Sequence, residues 1–172
     1  KYCYTCGFYH VTSKTFYSEV FYKNDFYQTF KPHYPYRNSK YWNLVFKVRM
    51  ANILTPLKLK SKNIKLLDIG CGDGAFLNWV AENFENIKLI GLDPTANPYN
   101  SDKFQRIRMS LEDFTLSNFD IIICEQVISH IPNPYNFVKK IYKLLNPSSI
   151  AYFEEPNDFS EIQDYHNYGK DK

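Results

Sequence analysis

No stretch of about 18 apolar residues occurs in this chain, so no membrane-spanning helix is expected. No secretory signal pattern is visible either, which reads as a cytoplasmic, reducing setting without disulfides. Charge is close to balanced, 21 Lys and Arg against 18 Asp and Glu. The resulting +3 is too small to argue for a nucleic-acid or membrane partner, and no basic stripe marks a nucleic-acid face. No internal repeat is visible. Glycine is scarce: six residues, of which three stand at alternate positions, Gly70, Gly72 and Gly74. Tyr, Phe, Asn and Lys are plentiful, which reads as a compositional habit of the source rather than as chemistry. A length of 172 residues points to one domain with a small appendage.

The four cysteines are of two kinds. Cys71 and Cys124 stand alone in or beside predicted strands and read as reduced core or site-lining thiols. Cys3 and Cys6 form a C-x-x-C followed by Gly7 and Phe8, which resembles the second half of a zinc ribbon. A structural zinc needs four ligands. The first pair would lie upstream of Lys1, and His10 and His33 lack the spacing to replace it. A redox C-x-x-C belongs at a helix N-terminus next to a strand, and this one does not sit there. Zinc is thus an expectation for a parent protein, with Cys3 and Cys6 as metal ligands. The chain does not begin with Met and ends in a polar tail from Tyr165 to Lys172, so it reads as truncated at both ends.

Residues 1–38 form an aromatic-rich segment without a sustained period, and 39–172 form the main region. A helix is predicted over 39–55, capped by Ser39, with Tyr41, Leu44, Val45, Val48, Ala51 and Ile53 as its apolar face and Pro56 as its end. A basic connector, 58–63, follows. Strands are then predicted at 64–69, 87–92, 105–109, 119–124 and 149–154, and helices at 75–84 and 134–145. That alternation argues a parallel α/β sheet. Two prolines, Pro94 and Pro98, make the crossover 94–102 a loop or a single turn.

The run from Leu66 to Gly74 carries the most information. A buried strand, a turn of alternate glycines and an amphipathic helix make a nucleotide-binding unit, since glycine admits positive φ and close approach of a ligand. Gly70 to Ala75 loosely fits the dinucleotide pattern G-x-G-x-x-G/A, which would bring a pyrophosphate onto the helix N-terminus. Asp68 and Asp73 place negative charge beside that turn. This disfavours a pyrophosphate and suits a cationic group such as the ammonium of a methionine moiety. A tight turn with no ligand is the bland alternative.

Asp68-Ile-Gly70-Cys71-Gly72 resembles motif I of the class I S-adenosylmethionine (SAM) methyltransferases, D-x-G-x-G. Later segments are similar to the family as well: the acid Asp93 closing the second strand, Met109 to Phe114 after the third, Phe119 to Pro134 around the fourth, and Leu144 to Asn157 around the fifth. The resemblance implies a Rossmann-like, mostly parallel sheet with flanking helices and SAM as cofactor. It implies Asp68, Gly70, Cys71 and Gly72 at the methionine end, Asp93 and Pro94 at the ribose, and Ser110, Leu111 and Glu112 at the adenine. Glu125 and Gln126 would line the site on the acceptor side, where His130 is the candidate catalytic base. The bland readings are an acidic surface turn at 110–113 and a structural loop histidine.

The acceptor is expected to be a small molecule, methylated at O, N or C, and oligomeric state is not readable. Tyr34 and Tyr36 are candidates for a lid. The family's C-terminal antiparallel hairpin, about 40 residues by strand and loop lengths, reads as lacking, with the fifth strand then expected as an exposed edge. The rival readings are an NAD-binding oxidoreductase and a non-catalytic, methyltransferase-like interaction module.

Overall fold

The computed structural model describes residues 2–3, 8–9, 40–57 and 63–155. The chain divides into two compact units, residues 1–34 and 35–172. In the first, β1 (Tyr2–Cys3) pairs antiparallel with β2 (Phe8–Tyr9). Cys6 and the side chain of Cys3 lie outside the described residues, as do Tyr34, Tyr36 and Ser39. Among the described residues, no group of three or more His, Cys, Asp or Glu is placed to hold a metal.

The second unit is built on a six-stranded sheet: β3 (Ile64–Ile69), β4 (Ile87–Leu92), β5 (Tyr99–Asn100), β6 (Phe104–Ile107), β7 (Phe119–Glu125) and β8 (Leu145–Glu154). Its order is β5-β6-β4-β3-β7-β8, and every pairing is parallel except β5 with β6. The chain moves outward from β3 to β4 and β6, then returns across the sheet to β7 and β8. The switch therefore lies between β3 and β7, where open α/β sheets bind ligands at the strands' carboxyl ends.

Helices α1 (Lys40–Leu54) and α2 (Ala75–Asn83) cover one face, packing Phe46, Met50, Ile53, Phe76, Leu77 and Val80 on Leu66, Leu89, Ile121 and Ile123. Helix α3 (Pro134–Leu144) covers the other face with Phe137, Ile141 and Leu144, against Leu67, Leu92 and Ile122. Burial on both faces is why β3, β4 and β7 read as continuous apolar runs. Asn133 caps α3 by accepting the Asn136 N–H at 3.1 Å, and Pro134 opens the helix, where a missing N–H does no harm. No helix among the described residues is long and apolar enough to cross a membrane.

The expected strands over 64–69 and 87–92 form with those bounds. Three expectations need correction. The crossover expected to be a loop contains β5. The last strand begins at Leu145, ahead of the expected 149, because Leu145 already pairs with Phe119 before a register shift sets Ile150 opposite Ile121. The third correction concerns α1, whose buried stripe is Phe46, Arg49, Met50 and Ile53. Tyr41, Leu44 and Val48, expected inside, are 66%, 59% and 51% exposed. An arginine in the middle of a stripe points the reader to the opposite face, since arginine is seldom buried unless paired.

Candidate active site

Gly70, Gly72 and Gly74 all have positive φ, at 75°, 54° and 81°. Gly70 is required for a second reason. A Cβ built there would meet Val127 Cγ2 at 2.3 Å, because the segment after β7 rests directly on the turn. The amides of Gly70 and Cys71 both donate to the Leu92 carbonyl, at 2.7 and 3.3 Å, tying the turn to the end of β4. Gly70→Ala is expected to cost about 2–4 kcal/mol, a left-handed penalty plus forced displacement of Val127. Chemical denaturation measures it, and a cost below about 0.5 kcal/mol would show that Val127 yields freely.

Asp93, just past β4, is the most heavily used acceptor of the site. Its Oδ2 takes the Gly72 N–H at 3.0 Å. Its Oδ1 takes the Thr95 N–H, the Thr95 hydroxyl and the Ala96 N–H at 2.7, 2.8 and 3.1 Å. A carboxylate offers about four lone-pair positions, so Oδ2 retains room for one more donor. Asp68, near the end of β3, is 5% exposed and stands opposite Gly91 and Ile123 in register.

Cys71 packs beneath Gly91, where a Cβ would lie 2.6 Å from its Sγ. Burial first, then Asp68 and Asp93, push its thiol pKa well up, so it stays protonated and unreactive. Cys71 can therefore meet a ligand only through its backbone. The same holds for Leu111, whose side chain lies in the core. Cys124 is likewise inert, pushed up to about 12 by burial and then by Glu155.

The sequence pattern did not show Arg49. From α1 its Nε and Nη2 donate to Glu154 Oε2 and Oε1, both at 2.9 Å, while Nη1 donates to Glu125 Oε2 at 2.6 Å. The guanidinium also lies 5.6 Å and 5.2 Å from the ring centroids of Phe46 and Phe76. Burial opposes its charge, but Glu154 and Glu125 outweigh that and raise its pKa. The bond from Arg49 in turn holds Glu154 below its ordinary value. Tyr152 donates its hydroxyl to Glu154 Oε2 at 3.1 Å. Glu125, expected to line the ligand, thus has one oxygen committed to Arg49. The available signal lies far along the chain, in the acids Glu125 and Glu154 that close two adjacent strands.

Gln126 has φ 52° and donates its backbone N–H to the Glu154 carbonyl at 2.8 Å, leaving its side chain exposed. Glu155 Oε1 accepts the N–H groups of Val127 and Ile128 at 2.9 and 2.8 Å, fixing the start of a 3-10 turn, Ile128–His130. His130 is half-buried at the end of that turn. After β6, the Ser110 hydroxyl closes its own turn, donating to Asp113 Oδ2 at 2.9 Å. Glu112 and Pro94 are exposed. The fold thus gathers the glycine turn, Asp68, Asp93, the 110–113 turn and the 125–130 segment at the carboxyl ends of the parallel strands.

An open, doubly covered α/β sheet with a glycine turn at its switch point and an acid closing the next strand defines a Rossmann-like nucleotide-ligand site. The methyltransferase domain family matches residues 41–171, and the chain belongs to that family. A ubiquinone biosynthesis O-methyltransferase from Vibrio campbellii is 25% identical over 139 residues, covering 69% of this chain and 58% of the relative. The same-named protein of Actinobacillus pleuropneumoniae is 24% identical over 141 residues, with 68% and 59% covered. The chain therefore spans under two thirds of the length of these relatives. In fold it is similar to the plantazolicin methyltransferase BpumL in complex with S-adenosylhomocysteine (SAH), with a TM-score of 0.69, 18% identity, and 86% of this chain and 60% of that one covered.

Proposed function

We propose that the chain binds SAM and transfers its methyl group to a small-molecule acceptor. The observation that carries this reading is a pair of buried opposite charges. Among the described residues, Arg49 and Asp68 are the charged side chains that the fold buries, one on α1 and the other on the sheet face that α1 covers. The methionine end of SAM is zwitterionic. Asp68 would take its ammonium. Arg49 uses three of its five N–H groups on Glu154 and Glu125 and would offer the others to its carboxylate.

Asp93 would accept a ribose hydroxyl on Oδ2, and the backbone of Ser110, Leu111 and Glu112 would flank the adenine. Bound SAM supplies an electrophilic methyl on a positively charged sulfur. The chain's own part is to hold the acceptor in line with it, which is chiefly a matter of positioning. Gln126 and His130 face the acceptor side in this reading, with His130 as the base that takes the acceptor's proton. The names of the curated relatives favour oxygen as the atom methylated. Zinc would rest on Cys6 and the side chain of Cys3, which lie outside the described residues, and enters no step.

Calorimetric titration with SAH, with NADH in parallel, tests the proposal. Saturable binding of SAH and none of NADH is expected. Binding of NADH alone would replace the reading with an oxidoreductase; binding of neither, repeated on a longer chain, would separate a need for further residues from a fold kept for something other than methyl transfer.

A further inference from the structure

We infer that Arg106 is a positioning residue for the cofactor, a clamp that holds the glycine turn and the segment after β4 in their binding arrangement; this rests on the methyltransferase reading. Arg106 stands on β6, opposite Gly91 of β4 and opposite Tyr99 of β5. Its Nε donates to the Asn97 carbonyl at 2.7 Å, and its Nη1 donates to the Asp73 carbonyl. Asp73 belongs to the glycine turn, and Asn97 to the segment that Asp93 opens. One planar fork therefore bridges the two segments that would enclose the methionine and ribose ends. A lysine ammonium could not span both carbonyls in the same way.

Two features define how the guanidinium is placed. The guanidinium passes beneath the N-terminus of α2, where a Cβ on Gly74 would lie 3.3 Å from Nη1. A cation at that end opposes the helix dipole, and the Asp73 carboxylate, whose Oδ1 accepts the Ala75 N–H at 3.1 Å, offsets it. The short β5 brings Tyr99 alongside, with the guanidinium carbon 5.8 Å from the ring centroid, backing the fork with an aromatic face.

The consequence is preorganisation. With its carbonyl held outward by Arg106, Asp73 fixes the peptide plane to Gly74, whose N–H returns to the Cys71 carbonyl at 2.9 Å. Asp93 makes the second cross-link through Gly72. A ligand then meets segments that are already ordered and does not bear the cost of ordering them.

The test compares Arg106→Met and Arg106→Lys with the wild-type chain by SAH calorimetry, thermal melting and amide exchange without ligand. Arg106→Met is expected to weaken SAH by about tenfold or more and to speed exchange over residues 70–76 relative to β3 and β7. Arg106→Lys should fall between the two. A purely structural residue would instead lower the melting temperature, leave SAH affinity per folded molecule unchanged and show no graded rescue. SAH affinity within about twofold of wild type in Arg106→Met, with unchanged exchange at 70–76, would overturn the inference. A wild-type chain that binds no SAH would overturn the methyltransferase reading, while the exchange comparison still decides whether the clamp orders the two segments.

Discussion

Replacing Arg49 with Met should cost about 3 kcal/mol of stability, roughly a 10 °C fall in melting temperature for a chain of this size. Breaking a buried ion pair from one side typically costs about 3–5 kcal/mol, because the partner charge is left uncompensated. The lower figure applies here because Glu125 and Glu154 retain 27% and 37% side-chain exposure and can be partly rehydrated. Met fills much of the space between Phe46 and Phe76, so the loss reports the charges more than a cavity. Arg49→Lys should recover little, since one ammonium cannot reproduce the bidentate bond to Glu154.

The pH dependence has a definite sign. The carboxyl pKa of Glu154 is lowered in the folded chain, so its contribution is complete above the ordinary glutamate value of about 4.3 and fades as pH falls through the lowered one. The difference between wild type and Arg49→Met should therefore be constant near neutrality and shrink below about pH 4. Urea unfolding at several pH values measures this. A difference under about 1 kcal/mol at pH 7 would show that Arg49 is not the link between α1 and the ends of β7 and β8.

Legibility followed sequence distance. Strands β3 and β4 announce themselves because they are buried on both faces and are followed directly by Gly70 and Asp93. The glycine turn and Asp93 are legible for a related reason: the contact from Gly72 to Asp93 spans 21 residues within one strand-helix-strand unit, and its spacing is visible locally. Arg49 is different. Its partners lie 76 and 105 residues away, so nothing near it in the chain indicates that a charge belongs inside. Arg106 is hidden likewise, because it works through the carbonyls of Asp73 and Asn97, and a carbonyl leaves no mark in a sequence. The start of β8 is obscured by Asn146-Pro147-Ser148-Ser149, which reads as a turn; the pairing with β7 shifts register across it, with Ser148 at φ 64°.

Asp93→Ala should weaken SAH by about 100-fold while costing only about 1–2 kcal/mol of stability, and that separation is its diagnostic feature. The carboxylate is half-buried, so the N–H groups of Gly72 and Thr95 that it releases can turn to water, while the buried Ala96 N–H keeps the Asp93 carbonyl at 3.4 Å. On the proposed reading, a ribose hydroxyl bound at Asp93 has no comparable substitute. It loses a charged acceptor, and the turn it approaches loses the anchor at Gly72, two effects that together approach 3 kcal/mol. Asp93→Asn sharpens the test. If its oxygen keeps Thr95 and Ala96, its amide nitrogen must face the Gly72 N–H, donor against donor. If it flips, those two lose their acceptor. The asparagine variant should therefore lose nearly as much affinity as alanine, although its shape is almost that of aspartate. Asparagine binding SAH within about threefold of wild type would show that Asp93 acts through shape alone and that the charge on Oδ2 is not what holds the ribose.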